Sequence, residues 1–152
     1  MSTTQVYRLA LSATLHCLTG CSIGEVLGMV IGTAFDWRNG STIALSIALA
    51  FLFGYALTLL PLRRGGLSMA AATRLALAAD TLSITVMEIV DNVIMLVVPG
   101  AMDASLSEPL FWGTLIVALL LAGVAAYPVN RWVIQRGRGH ALVHQHHEVH
   151  HH

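Results

Sequence analysis

The chain has 152 residues, of which 56% are hydrophobic and only 11% charged, with a mean hydropathy of +0.73. A soluble domain carries about 25% charged residues, so an ordinary water-soluble enzyme is excluded. Eight arginines balance eight carboxylates, which removes the basic footprint of a nucleic-acid binder.

Four apolar runs follow one another. They are Leu9 to Phe35, Ile43 to Leu60, Leu75 to Val98 and Leu110 to Ile134. A helix needs about 20 apolar residues to cross a bilayer, and each run reaches or approaches that length. The connectors read as turns: Asp36 to Gly40, Pro61 to Gly66, and Pro99 to Pro109. Trp37, Trp112, Tyr127 and Trp132 fall near span ends, where interfacial aromatics belong. The expected fold is therefore all-α: a multi-pass membrane protein of four transmembrane helices, arranged as two helical hairpins oriented in parallel. Residues 1–139 form the membrane domain, and residues 140–152 a His-rich cytoplasmic tail.

The arginines orient it. Four spans put Arg8, Arg63, Arg64, Arg74, Arg131, Arg136 and Arg138 on one side and only Arg38 on the other. Arginine excess marks the cytoplasmic face, so both termini are expected in the cytoplasm, with the chain in a bacterial inner membrane.

Span one carries glycine at every fourth position: Gly20, Gly24, Gly28 and Gly32. Small residues at this spacing let another helix approach closely, within the chain or between copies. The same helix carries Cys17, Cys21 and Glu25 in steps of four. At 100° per residue, Cys17, Cys21, Gly24, Glu25 and Gly28 share an arc of about 100°, with His16 off it. Two cysteines stacked on one helix suit a bridge poorly; buried thiols or metal ligands fit better. Leu18-Thr19-Gly20-Cys21 matches a lipobox, but the apolar run continues to Phe35 rather than yielding to a polar mature start, which argues against lipidation.

Span three places Asp80, Met87, Glu88, Asp91 and Met95 within a similar arc, flanked by Asn92. An ionised side chain at the bilayer centre costs about 2.5–3.5 kcal/mol even on the lenient insertion scale. No Lys or Arg lies deep in a span to compensate Glu88 or Asp91, whereas the shallow Asp80 has cytoplasmic arginines within reach. The carboxylates must be protonated, or face a cavity, a cation or a partner. Thiolate, thioether and imidazole suit soft or borderline ions, Cu(I) and Zn(II) among them. The candidate metal ligands are Cys17, Cys21, Glu25, Met87, Glu88, Asp91 and His16. A second set, His140, His144, His146 and His147, follows the last span, and His-rich tracts bind Cu(II), Zn(II) or Ni(II). His150 to His152 are discounted as a cloning remnant.

The halves show a thin internal repeat. Ile23-Gly24-Glu25-Val26-Leu27 matches Val86-Met87-Glu88-Ile89-Val90, and Pro61-Leu62-Arg63-Arg64 matches Pro128-Val129-Asn130-Arg131. Spans one and three become counterparts, with Glu25 and Glu88 at similar depth.

The stretches from His16-Cys17 to Gly24-Glu25 and from Met87-Glu88 to Asp91-Asn92 form two motifs, H-C-x-x-G-C-x-x-G-E and M-E-x-x-D-N. In them, and from about Ala13 to His147, the chain resembles a bacterial family of small integral-membrane proteins catalogued as a domain of unknown function. The resemblance implies a native His-containing C-terminal segment, since relatives end similarly, and relatives with copper-related labels imply a link to copper.

The expected function is handling of a soft or borderline transition metal, copper ahead of zinc, by transport or delivery to a metal-dependent partner protein. No catalytic motif suggests an enzyme, and a homo-oligomer in the lipid bilayer is expected because four helices enclose little room for a route. Two alternatives stand beside it. One is a proton-coupled exporter of organic cations, resembling small multidrug transporters with a carboxylate in span one; the scarcity of aromatics in span one counts against it. The other is a structural subunit of a membrane assembly.

Overall fold

The computed structural model describes residues 2–64, 66 and 68–149; the side chains of 61, 62, 71, 72, 75, 76, 79 and 137–149 lie outside that description. Four helices account for nearly all of it: α1 (Thr3–Ala34), α2 (Asn39–Arg64), α3 (Met69–Val97) and α4 (Pro109–Val149), with no strand among the described residues. The protein is all-α. Three stretches, Thr3–Ala34, Asn39–Leu60 and Pro109–Arg136, are long and apolar enough to cross a membrane. The third helix has the length, at 29 residues, but Asp80, Glu88 and Asp91 interrupt its apolar character.

Local chemistry sets the ends. Ser2 caps α1 in a reciprocal box: its Oγ accepts from the Gln5 N–H at 3.3 Å, and Gln5 Oε1 accepts from the Ser2 N–H at 2.8 Å. At the other end Trp37 N–H donates to Gly32 C=O at 2.9 Å and Asp36 N–H to Thr33 C=O at 3.3 Å. This pairing closes a helix through a left-handed residue, here Asp36 at φ 52°. Two helices outrun the sequence reading. The α2 helix continues through the Pro61–Arg64 stretch read as a turn, and α4 runs past Ile134 to Val149. A proline near the end of an apolar helix bends the ladder more cheaply than it ends it, because any other backbone state would expose unpaired groups.

The tightest packing is between α1 and α2. A Cβ at Gly20 would sit 2.7 Å from Gly54 Cα, and one at Gly24, Gly28 or Gly32 would run into Ala50, Ser46 or Thr42 respectively. Each step of four up α1 is answered by a step of four down α2, so the two helices run antiparallel with small residues on both. Glycine here is a requirement of distance: the backbones touch where a side chain would stand. The third helix packs on α4 and α2, and α1 also touches α4 and α3, while α2 and α4 make no contact among the described residues. The bundle is thus a ring of four in chain order with α1 and α3 meeting across its middle.

Two buried clusters fill it. One joins Cys17, Cys21, Ala50, Ile84, Met87, Ala122 and Ala126. The other joins Met29, Met95, Ala101, Ala104, Phe111 and Leu115 at the end carrying the α1–α2 and α3–α4 connectors. At the opposite end Arg131 stacks 4.5 Å over Tyr7 and Arg136 4.5 Å over Trp132. Outward faces are apolar: Leu11, Leu15, Leu52, Ile89, Leu96, Ile116, Leu120 and Val124 are all exposed.

The glycine contacts yield a paired test. Gly24→Ala forces a methyl into the Ala50 backbone and should lower stability by about 1–3 kcal/mol, the usual cost of overpacking. Gly113→Ala meets nothing within 4 Å and should be neutral or stabilising by up to about 1 kcal/mol, since alanine is the better helix former. Thermal unfolding in detergent compares the two; equal effects would contradict the close approach.

Candidate functional site

The helical spacing of α1 and α3 brings two polar stripes to the bundle centre. On α1 the positions Cys17, Cys21 and Glu25 are all buried, and on α3 so are Asp80, Met87, Glu88, Asp91 and Asn92. Close packing of α1 on α2 through glycines occupies one side of α1 with backbone contact. The long side chains of α1 then project on the remaining inward side, toward α3.

The stripes meet in two tiers. In the first, the Cys17 thiol donates to Asp80 Oδ1 at 3.5 Å. His16 and Thr58 lie beside Asp80 and Ser83 beside Cys17, while Asp80 Oδ2, Ser83 Oγ and the half-buried His16 Nε2 find no hydrogen-bond partner. In the second, two turns further along, the Glu25 carboxyl abuts those of Glu88 and Asp91, with Cys21 adjacent. Asn92 Nδ2 donates to Glu88 Oε2 at 3.3 Å and to the Glu88 carbonyl at 2.9 Å. No such donor reaches the others: both oxygens of Glu25 and both of Asp91 are buried and unpartnered. Glu25 is 0% exposed and Asp91 1%.

Glu25 and Glu88 are repeat counterparts, as are Cys17 and Asp80 by the same offset, and each pair meets across the bundle axis. The two helices therefore rise together through the centre. A third polar tie lies toward the arginine end: Asn130 Nδ2 donates to Thr14 Oγ1 at 2.9 Å, and Thr14 in turn donates to the Ala10 carbonyl at 2.8 Å.

Of the expected metal ligands, Cys21, Glu25, Glu88 and Asp91 come together, with Met87 in the apolar cluster beside Cys21. Cys17 and His16 belong to the Asp80 tier. Among the described residues no three His, Cys, Asp or Glu side chains converge closely enough to hold a metal ion as they stand. His140, His144, His146 and His147 lie outside the described side chains. The glycine stripe is occupied within the chain, against α2.

Several participants went unread in the sequence. Thr42, Ser46, Ala50 and Gly54 form a small-residue stripe on α2 at the same four-residue spacing, complementary to the glycines. Ser83 stands one turn before Met87, and Met29 one turn after Glu25, both buried on the stripes. Their spacing was available; their size and chemistry did not mark them out.

The chain matches, over residues 6–139, the family described as Domain of unknown function (DUF4396), and it belongs to that family. No curated protein and no solved structure matches it.

Both cysteines are free and buried. Cys17 is 3% and Cys21 1% exposed, so a membrane-impermeant maleimide should leave both unmodified in the folded protein and label both after denaturation. Mass spectrometry reads the result; rapid labelling of Cys21 in the folded state would contradict the closed site.

Proposed function

We propose that this DUF4396 protein handles a soft or borderline transition-metal cation in a bacterial inner membrane, with copper favoured over zinc. In this reading all four helices span the bilayer, as two parallel-oriented hairpins with both termini in the cytoplasm. The cation is cargo, carried or handed to a metal-dependent partner. A homo-oligomer remains part of the proposal, through the outward apolar faces rather than the glycine stripe, which is already in use.

One observation carries it. Glu25 and Asp91 are buried against each other with no donor to either, and the thiol of Cys21 lies beside them. Desolvating polar groups without partners costs several kcal/mol, and a cation passing between them would offset that cost when bound. The order of groups along the axis supports the same reading. Met29 and Met95 lie toward the connector end, the carboxyls and Cys21 in the middle, and Cys17 with Asp80 toward the arginine end. Thioether and thiolate sulfur favour Cu(I), and oxygen ligands alone would not. Binding requires the thiols and carboxyls to lose protons, so affinity falls as pH falls.

A structural assembly subunit is the second reading. It draws on the absence of three converging ligands among the described residues, which leaves the polar groups to satisfy one another.

Metal analysis of the purified protein separates the two. Glu88→Gln and Cys21→Ser should each reduce bound copper at least about tenfold, the scale on which ligand environments act, with the helical content unchanged. Copper uptake indifferent to both changes would favour the assembly subunit. Reporter fusions address orientation: a fusion after Gly100 should be periplasmic and one after Gly65 cytoplasmic.

A further inference from the structure

We propose that the outward groove between α1 and α4 binds one anionic phospholipid, with an acyl chain in the groove and the phosphate on Arg131. The proposal is independent of the cation reading. It needs only that α1 and α4 cross the membrane, and both carry a stretch long and apolar enough to do so.

The groove follows from helical spacing. Leu11, Leu15 and Leu18 share one face of α1, and Leu120, Val124 and Tyr127 one face of α4. Together they line a cleft of about 300 Å³. Leu11, Leu15, Leu120 and Val124 are exposed and make its rims. Gly123 is buried in the floor, where a Cβ would come 3.1 Å from Leu18 Cδ2. Thr14 lies in the floor too, but its hydroxyl is already engaged: it donates to the Ala10 carbonyl and accepts from Asn130 Nδ2. The floor offers a guest hydrocarbon contact and no free hydrogen bond.

One end carries charge. Tyr7 continues the α1 face one turn before Leu11, and Arg131 continues the α4 face one turn after Tyr127. The two meet, with the guanidinium 4.5 Å over the ring. That contact gives none of the guanidinium N–H donors an oxygen, and among the described residues no carboxylate pairs with Arg131. A planar guanidinium with unused donors suits phosphate, which it grips through two N–H groups at once. Trp132 and Tyr7 mark the interfacial level of a bilayer, so Arg131 stands where headgroups are.

The length fits a lipid. From Tyr7 to Leu18 on α1, and from Arg131 to Leu120 on α4, the same step along the helix covers about 16 Å. That is about half of a hydrocarbon core about 30 Å thick, the depth of one leaflet. A partner helix crossing the membrane would need a seam of the full thickness. A lipid of the leaflet at the arginine end needs only this one, its chain running inward from a phosphate on Arg131.

Native mass spectrometry tests the site. Full-length protein is equilibrated in bilayers of equal phosphatidylglycerol and phosphatidylcholine, then extracted gently into detergent. Wild type should retain one phosphatidylglycerol in preference to phosphatidylcholine. Arg131→Gln should cut that preference about tenfold, the scale of a hydrogen bond to a charged group. Arg136→Gln removes the same charge away from the groove, on Trp132, and should leave the preference intact. Gly123→Leu fills the floor and should lose retained lipid of both kinds, with circular dichroism confirming its helices; the two arginine variants decide the matter if it does not fold. Equal retention of the two lipids by wild type would overturn the proposal. So would equal losses in the two arginine variants, which would mean diffuse surface charge, or displacement by soluble glycerol phosphate, which would mean a headgroup site without a chain. A Val124→Cys variant that crosslinks to its own copy in the bilayer would give the groove to a second copy and overturn it as well.

Discussion

Everything at the centre of this bundle turns on carboxyl groups removed from water with no basic side chain among the described residues to pair with them. Glu25, Glu88 and Asp91 come from helices that rise together, so their proximity follows from the helix pairing and no single rotamer is responsible. A pair with arginine would have been inert. Without one, burial leaves their polar atoms with the full cost of desolvation. The other buried polar contacts, such as Asn130 with Thr14, are closed pairs that hold helices together.

The glycine contacts make this arrangement feasible. Because Gly20, Gly24, Gly28 and Gly32 put the α1 backbone against α2, α1 spends no side-chain volume on that side. Cys17, Cys21 and Glu25 project toward α3 instead. Packing and chemistry on α1 thus lie side by side on one four-residue rhythm. Membrane helices gain nothing from burying apolar groups against each other rather than against lipid, so close backbone contact and polar ties carry the association.

Much of this could be read from residue order. The arcs containing Cys17, Cys21 and Glu25, and Asp80, Met87, Glu88 and Asp91, are the buried arcs of α1 and α3, because helical periodicity is fixed by backbone geometry. The all-α class followed from apolar run length. The α2 stripe of Thr42, Ser46, Ala50 and Gly54 was missed because small residues carry little hydropathy contrast, although their spacing mirrors the glycines. The Pro61 boundary was misplaced because proline stops helices in water more reliably than in lipid. The contact of Cys17 with Asp80 depends on which helices are neighbours, a tertiary fact that periodicity on one helix does not contain. The repeat pointed toward it by making spans one and three counterparts.

The central claim is that a cation meets sulfur and carboxylate inside the bundle. X-ray absorption at the copper edge on the full-length, copper-loaded protein in lipid measures this most directly. The account predicts a shell containing both sulfur and oxygen, with the sulfur scattering diminished in Cys21→Ser. A shell of imidazole nitrogen alone, unchanged by that substitution, would put the metal on histidines outside the membrane and contradict it.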